Sequence, residues 1–414
     1  MSSATEQYLE SKIASSETVD VPLMVDYLIQ DSLQRGASDI HIEPWEDMVG
    51  VRVRVNGVLQ WLVGIPNEHQ PNIAGRFKVM ANLESHTTGL PQDGKAAPEN
   101  FGGVQLRVSI FPTVYGEKIV CRIFNPNSKT FDISRLGFDD ETLEKFKELT
   151  SKPTGLMLLT GPTGSGKTTA IYAAIGYLLE KHGNAVAVSS VEDPVEQNLD
   201  WVNQSSLNPA RGYNYPAALR SLMRQDPEII MVGEIRDEET AEIAINAGMT
   251  GHLVISTLHS NTTSGTFARL INMDIEPFLL ASTIIGVLGV RLLRTNCMHC
   301  AVPYTPEPYA LEQLLQFEGN EYVQSLMDQQ GFYKGNGCSA CSDTGFTGRS
   351  SVNELLVCDE AIREAVMQKK ASREIQTLSV EAGMRTLWDS GLQMVVDRKT
   401  TLEETLQKVA ADQV

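Results

Sequence analysis

Basic residues are in short supply. Lys and Arg number 34 against 52 Asp and Glu, a formal net charge of −18. So cation-poor a chain excludes a general nucleic-acid coat, which needs phosphate-neutralising surface, although one local basic groove is compatible with the count. Long apolar runs are also missing. The longest, Phe278 to Val290 (FLLASTIIGVLGV), is shorter than the ~20 residues of a membrane span and carries Ser282 and Thr283. The first residues are acidic and polar, with no positive start leading into an apolar stretch, so no secretory signal is read. Cysteine is scarce too. Six in 414 residues are too few for a disulfide framework. Four of the six form two CxxC pairs, which points to metal chemistry in a reducing, cytosolic compartment. The remaining composition, 42% hydrophobic and 21% charged, is that of an ordinary globular chain, and the length suits about two or three domains.

What is present falls into segments of different character. Val21 to Arg35 carries Leu23, Met24, Tyr27, Leu28 and Leu33 at helical spacing, with Gly36 as a stop. Val49, Val51, Val53 and Val55 alternate with Gly50, Arg52, Arg54 and Asn56, as on a strand with one apolar face. Asn56-Gly57 is a hairpin signal, and Val58 to Val63 is the returning strand. A second alternating pair, Val104 to Ile110 and Ile119 to Ile123, turns at Pro112 and Gly116, and Ile73 to Leu83 reads as a helix between the pairs. Residues 1–19 are expected to be flexible and 20–125 to form a small α+β domain. The linker is placed at 126–135, on the stretch Asn125 to Thr130 (NPNSKT). From there the pattern changes. Gly155–Thr160, Ala185–Ser190, Glu228–Gly233 and His252–Thr257 are short apolar runs separated by helical stretches. That alternation means an α/β core, 136–292, with a parallel sheet and crossover helices. A cysteine-bearing subdomain follows at 293–350 and a helical C-terminal region at 351–414; residues 310–414 outside the cysteines read as mostly helical.

Gly161 to Thr168 reads GPTGSGKT, fits G-x-x-x-x-G-K-[ST], follows an apolar strand and opens a helical stretch. In such a loop the three glycines, Gly161, Gly164 and Gly166, let backbone N–H groups turn inward as an anion nest, with Pro162, Thr163 and Ser165 as the remaining loop residues. Lys167 reaches the β and γ phosphates, Thr168 ligates Mg²⁺, and Thr169 continues the helix N-terminus. Glu192 and Asp193, Glu234 and His259 each follow a later apolar run, where the carboxyl ends of parallel strands converge on the ligand crevice. Glu234 is placed to orient an attacking water. Cys297, Cys300, Cys338 and Cys341 form two knuckles whose four thiolates suit tetrahedral Zn²⁺ in a closed structural site, a redox pair being the alternative for a single CxxC.

These residues carry a resemblance. Arg224 to Asn261 (RQDPEIIMVGEIRDEETAEIAINAGMTGHLVISTLHSN) resembles the core of the type II secretion and type IV pilus ATPases, and VEDPVEQ (Val191 to Gln197) resembles their Asp box. ASDIHIEP (Ala37 to Pro44), LPQDGK (Leu90 to Lys95) and LRVSIFPTVYGEKIVCRIF (Leu106 to Phe124) are similar to their N-terminal regulatory domain. The likeness runs over about residues 20–400. It implies a PAS-like α+β N-terminal domain followed by a RecA-like P-loop core with a tetracysteine zinc subdomain and a helical C-terminal region. It further implies a homohexamer that binds ATP between the two domains. By carry-over Glu234 is the catalytic carboxylate, Glu192 assists metal and water positioning, and His252 and His259 lie near the γ phosphate. Arg107 and Arg122 match N-terminal-domain arginines that approach the phosphates, although the residues by themselves fit solvent-facing hairpin positions equally well. Arg220, Arg224 and Arg236 match core arginines.

The implied protein is a cytoplasmic ATPase, peripheral at the inner membrane through a platform protein, that uses ATP, Mg²⁺ and Zn²⁺ to power assembly of a secretion pseudopilus or a pilus. No nucleic-acid partner is expected. The cysteine knuckles favour assembly over a retraction motor; a nucleic-acid-translocating hexamer and a nucleotide-binding scaffold without turnover are the other readings. Lys95 and the pair Gly289-Val290 depart from the usual pattern, outside the phosphate chemistry. The chain opens almost directly at the regulatory region, where many relatives carry a further docking domain, as either a naturally short or a trimmed form would.

Overall fold

The computed structural model describes residues 3–15, 17–98, 100–124, 131–316, 321–326 and 331–409. The chain divides into two units, Met1–Ser128 and Lys129–Val414. The stretch Asn125 to Thr130, read as the linker, lies outside the described residues.

The first unit is built on strands β1 (Asp39–Pro44), β2 (Met48–Val55), β3 (Val58–Pro66), β4 (Gln92–Ala96), β5 (Gln105–Thr113) and β6 (Gly116–Phe124). They form one antiparallel sheet in the order β3-β2-β1-β6-β5-β4. Asn56 and Gly57 both take positive φ, 51° and 84°, so the turn the sequence signals is there. The alternation in β2 sends Val49, Val51 and Val53 into a core with Ile40, Ile42, Val108, Ile110 and Cys121. Two helices, Val21–Gln34 and Gln70–Met80, contribute Met24, Leu28, Ile29, Ile73 and Phe77 to it. The second helix starts and ends three residues earlier than the expected Ile73–Leu83. Pro71 suits its first turn, and Asn82 at φ 55° cannot continue it.

Within 1–19, expected to be flexible, Ala4–Ser15 is a helix. Buried Asp31 accounts for it. Its carboxylate accepts from Ala4 N and Thr5 N at 2.9 Å each and from Thr5 Oγ1 at 2.6 Å, satisfying N–H groups that a helix start leaves without intrahelical partners.

The second unit holds β7 (Gly155–Thr160), β8 (Val188–Glu192), β9 (Val202–Ser206), β10 (Ile229–Val232), β11 (Leu253–Leu258), β12 (Ile284–Asn296) and β15 (Phe346–Val357) in one sheet. The short pair β13 (Ala301–Tyr304) and β14 (Phe332–Gly335) stands apart. The sheet order is β15-β12-β7-β11-β10-β8-β9, parallel except for β15. Buried on both sides, its central strands divide their apolar residues between two cores. Leu156, Leu158, Ile230 and Val254 face the helices Glu238–Met249 and Pro277–Thr283. Met157, Leu159, Met231 and Ile255 face the helix Lys167–His182. This is the layered α/β arrangement that strand–helix alternation requires.

The apolar run Phe278 to Val290 changes structure midway. Its first part is helix and its second is β12, which pairs with β7 on one side and β15 on the other. Among the described residues no helix is long and apolar enough to cross a membrane. The twelve-residue strand β15 lies in a stretch expected to be mostly helical. NELLV has no strict alternation because it is buried against β12 and the helices beyond it, and that pairing overrides local preference. Both β12 and β15 also run across the boundaries placed at 292/293 and 350/351.

Candidate functional site

The parallel sheet brings four chain segments to one end. β7 runs into the loop Gly161–Gly166, β8 into Glu192-Asp193, β10 into Gly233-Glu234, and β11 into His259.

In the loop, Gly161, Gly164 and Gly166 have φ of 147°, 75° and 98°, conformations that only glycine adopts freely. A Cβ on Gly161 would lie 2.5 Å from the Val290 carbonyl oxygen and 2.7 Å from Ser165 Oγ, so the turn also has no room for a side chain. The Lys167 ammonium is 2.7 Å from the carbonyl oxygen of Gly161 and 2.9 Å from that of Pro162, curled back into the loop. Burial lowers its proton affinity, and the Arg291 guanidinium lowers it further. An anion in the loop would be drawn to exactly such a cation, dehydrated and held on neutral carbonyls.

The Ser165 hydroxyl is buried beside it with no hydrogen-bond partner among the described residues. Pro162, Thr163 and Gly164 are exposed, and Thr168 and Thr169 are half-buried at the start of the helix that the loop opens. A buried orphan hydroxyl, an anion nest and a dehydrated lysine together fit a nucleotide's phosphates, and the Thr168 hydroxyl is a suitable Mg²⁺ ligand.

Glu234 has 18% of its side chain exposed. One of its oxygens accepts from Arg236 Nη2, and the other lies 3.4 Å from His259 Nε2. Arg236 also reaches Asp193 Oδ2 at 3.5 Å. Its hydrogen bond to Glu234 reinforces the guanidinium's charge. The sequence thus brings Glu234, Arg236, His259 and the Asp193 carboxylate into one contact set.

Glu192 stands apart from that set. It is buried, and its carboxylate accepts from Tyr172 Oη, from Ser190 Oγ at 2.6 Å and from Gln204 Nε2 at 3.0 Å. Tyr172 belongs to the helix Lys167–His182, so Glu192 fixes that helix to the sheet. Metal and water positioning is expected of Glu192, but its carboxylate is buried beneath three side-chain hydrogen bonds, and Asp193 is the acid of the pair that meets Arg236.

The two histidines part as well. His252 precedes β11, whose first residue pairs with Gly155 at the start of β7, and its Nδ1 lies 3.0 Å from the Ala247 carbonyl oxygen. Six residues of strand, roughly 20 Å at ~3.3 Å each, separate it from the phosphate loop. It therefore does not lie near the γ-phosphate position of its own chain, because it begins the strand that His259 ends.

Arg220 pairs with Glu239 at 2.5 Å, and Arg224 donates to the Arg220 carbonyl at 2.7 Å; both are exposed. In the first unit Arg107 and Arg122 are cross-strand partners on β5 and β6, both exposed. Arg122 Nε is 3.0 Å from Asp39 Oδ1. The row continues in register through Arg54, Asp39, Arg122, Arg107 and Lys95, four cations and one anion on five strands.

Three residues escaped the sequence reading. The Tyr215 side chain reaches 2.6 Å from where a Gly233 Cβ would sit, and burial and the nearby Glu234 hold its hydroxyl protonated. Arg291 is buried with Nη1 2.9 Å from the same hypothetical position on Gly161. Glu354 is buried against the loop that follows His259. A charge embedded in an apolar run, GVLGVR or VNELLV, was the available signal for the last two.

The four knuckle cysteines come together. Their sulfurs all lie within 4.8 Å of one another, with Cys297–Cys338 at 3.8 Å, Cys300–Cys341 at 3.9 Å and Cys338–Cys341 at 3.7 Å. Tetrahedral thiolates on Zn–S bonds of ~2.3 Å stand about 3.8 Å apart, so the spacing fits zinc. The N–H groups of Cys338 and Gly345 donate to Cys341 Sγ at 3.2 and 3.3 Å, support that a thiolate ligand needs.

The family described as Type II/IV secretion system protein matches residues 15–407. The type IV pilus assembly ATPase PilB of Thermus thermophilus is 40% identical over 408 residues, covering 96% of this chain and 45% of the relative. The type II secretion system ATPase E of Vibrio cholerae is 36% identical over 399 residues, covering 96% and 77%. The chain therefore spans under half the length of the first relative and about three quarters of the second. Among solved structures, the Legionella pneumophila ATPase DotB matches with a TM-score of 0.68 at 19% identity, covering 93% of this chain and 95% of that one, a likeness of fold.

Proposed function

Because the chain belongs to the Type II/IV secretion system protein family, we propose that it is a motor ATPase that assembles a secretion pseudopilus or a pilus. The observation that carries this reading is the convergence of the loop Gly161–Lys167, Glu234 and His259 on one end of a parallel sheet. Lys167 exchanges the carbonyls of Gly161 and Pro162 for phosphate oxygens, and the loop's N–H groups and the orphan Ser165 hydroxyl supply further donors. Thr168 would hold Mg²⁺, which would offset phosphate charge. Glu234 orients the attacking water, with Arg236 and His259 fixing the carboxylate. Asp193 steadies Arg236, and Tyr215 closes the apolar side of the acid.

We assign Arg107 and Arg122 the task of meeting phosphate charge during turnover. Arg220 and Arg224 are assigned to contacts between subunits of a homohexamer. The six-stranded sheet with helices on one face supports a PAS-like regulatory domain, and the tetracysteine cluster supports structural zinc and assembly rather than retraction. The implied partner is an inner-membrane platform protein, reached from the cytoplasm.

The test is the ATP hydrolysis rate per subunit against protein concentration, with mass measured at each point, for the wild type and Glu234→Gln. Turnover that rises as a hexamer forms, and is lost in a variant that still binds ATP, is the expected result. Equal rates in both proteins would remove Glu234 from its role.

A further inference from the structure

We propose that Glu354 and Arg291 are positioning residues that set the loop His259–Thr263 against the nucleotide site, and that Glu354 ties this loop to the C-terminal helices. The proposal rests on the ATPase reading above. The loop starts at His259, which faces Glu234, and ends at Thr263, and three groups hold it. Thr160 Oγ1, on the residue before the phosphate loop, donates to the Ser260 carbonyl at 2.6 Å and accepts from Ser260 N at 3.1 Å. Arg291 Nη2 donates to the Asn261 carbonyl at 2.6 Å. Glu354 Oε1 accepts from the Thr263 hydroxyl at 2.7 Å and from Thr263 N at 3.2 Å.

Arg291 and Glu354 stand on adjacent strands, β12 and β15, and both are nearly fully buried, at 5% and 4% exposed. Gly289, the register partner of Glu354, leaves this approach uncrowded. A Cβ there would lie 3.0 Å from Glu354 Cγ and 3.1 Å from Thr263 Cγ2.

The second oxygen of Glu354 accepts from Leu387 N at 3.2 Å, the first residue of the helix Leu387–Val396. A carboxylate is well placed at a helix N-terminus, and its hydrogen bonds are of the stronger, charge-assisted kind. One buried carboxylate thus joins two elements more than 120 positions apart in sequence, and both sides present donors. Any shift of the helix start relative to β15 must be followed by Thr263 or break a bond to a buried charge, so the position of His259 and the seating of the C-terminal helices are coupled.

Glutamine at 354 keeps the shape but offers one acceptor and one donor, so one of the two sides loses its bond. Steady-state kinetics of the full chain tests this, with Lys167→Ala as the inactive control. Glu354→Gln is expected to lower kcat by about tenfold with KM for ATP within about twofold. Thr263→Val, which removes only the hydroxyl, should lower kcat in the same direction. The double variant should be no worse than Glu354→Gln alone, since either change breaks the one tie that runs from the loop through position 354 to the helix. Wild-type kcat in Glu354→Gln, additive losses in the double variant, or a loss confined to KM would overturn the proposal. If Glu354→Gln does not fold, Thr263→Val with unchanged kcat overturns it equally. A wild type no faster than Lys167→Ala would instead overturn the ATPase reading, and this proposal with it.

Discussion

Glu192 and Asp193 are adjacent in the chain and have different surroundings. The strand end turns Glu192 into the core, where Tyr172, Ser190 and Gln204 donate to it, and leaves Asp193 to Arg236. Position after an apolar run told the sequence reader that an acid stands near the crevice. It did not tell which of two acids, because the answer depends on a tyrosine twenty residues earlier and a glutamine twelve later. The same limit explains the histidines. The motif placed both near the phosphates, while the register of β11 against β7 puts one at each end of a strand. The kinetic consequence is direct. His259→Ala should lower ATP turnover by about tenfold or more, and His252→Ala, tried alone on the assembled protein, should stay within about threefold of the wild type. Comparable losses in the two variants would assign His252 a function that its own chain's geometry does not give it. Glu234, by contrast, was legible from sequence, because a glycine-acid pair after a four-residue apolar strand has few places to go in a parallel sheet.

At the scale of elements, strands with plain alternation were readable, and so were the short, wholly apolar runs that became β7, β8, β10 and β11. β2 and its Asn56-Gly57 turn fell where the valine pattern put them. β15 was hidden, since a double-sided strand carrying Asn353 and Glu354 mimics a helix in a single sequence. The metal knuckles lie between β12 and β15, with β13 and β14 in the excursion between the two cysteine pairs. Spacing alone brought these cysteines to attention, and the geometry adds the sulfur distances and the N–H support around Cys341. Bound zinc should therefore brace the hairpin that connects β12 to β15. Cys338→Ser is expected to carry markedly less than one zinc per chain by elemental analysis and to melt several degrees lower, a loss of about 2 kcal/mol or more. Nucleotide affinity should be nearly unchanged, and retention of a full zinc complement would show that the four sulfurs do not act as one site.

For the whole molecule, the division at Ser128 and Lys129 follows the change from alternating strands to apolar runs that the sequence displays. Charge is the other property of this scale. A net −18 opposes polyphosphate chains in general, and the row of Arg54, Arg122, Arg107 and Lys95 is a local exception, tempered by Asp39. Fluorescence anisotropy with labelled single-stranded DNA is expected to show no binding at micromolar protein and moderate salt. Tight binding that falls steeply with salt would favour the nucleic-acid motor instead.

Gly289 has a consequence for descent. A side chain at that position would crowd both Glu354 and Thr263, so drift away from glycine is expected chiefly in a lineage that has already given up the bond. The three positions make one heritable unit. Across a deep collection of relatives they should be kept together or lost together, and a lineage that has replaced all three must hold its His259 loop by some other device.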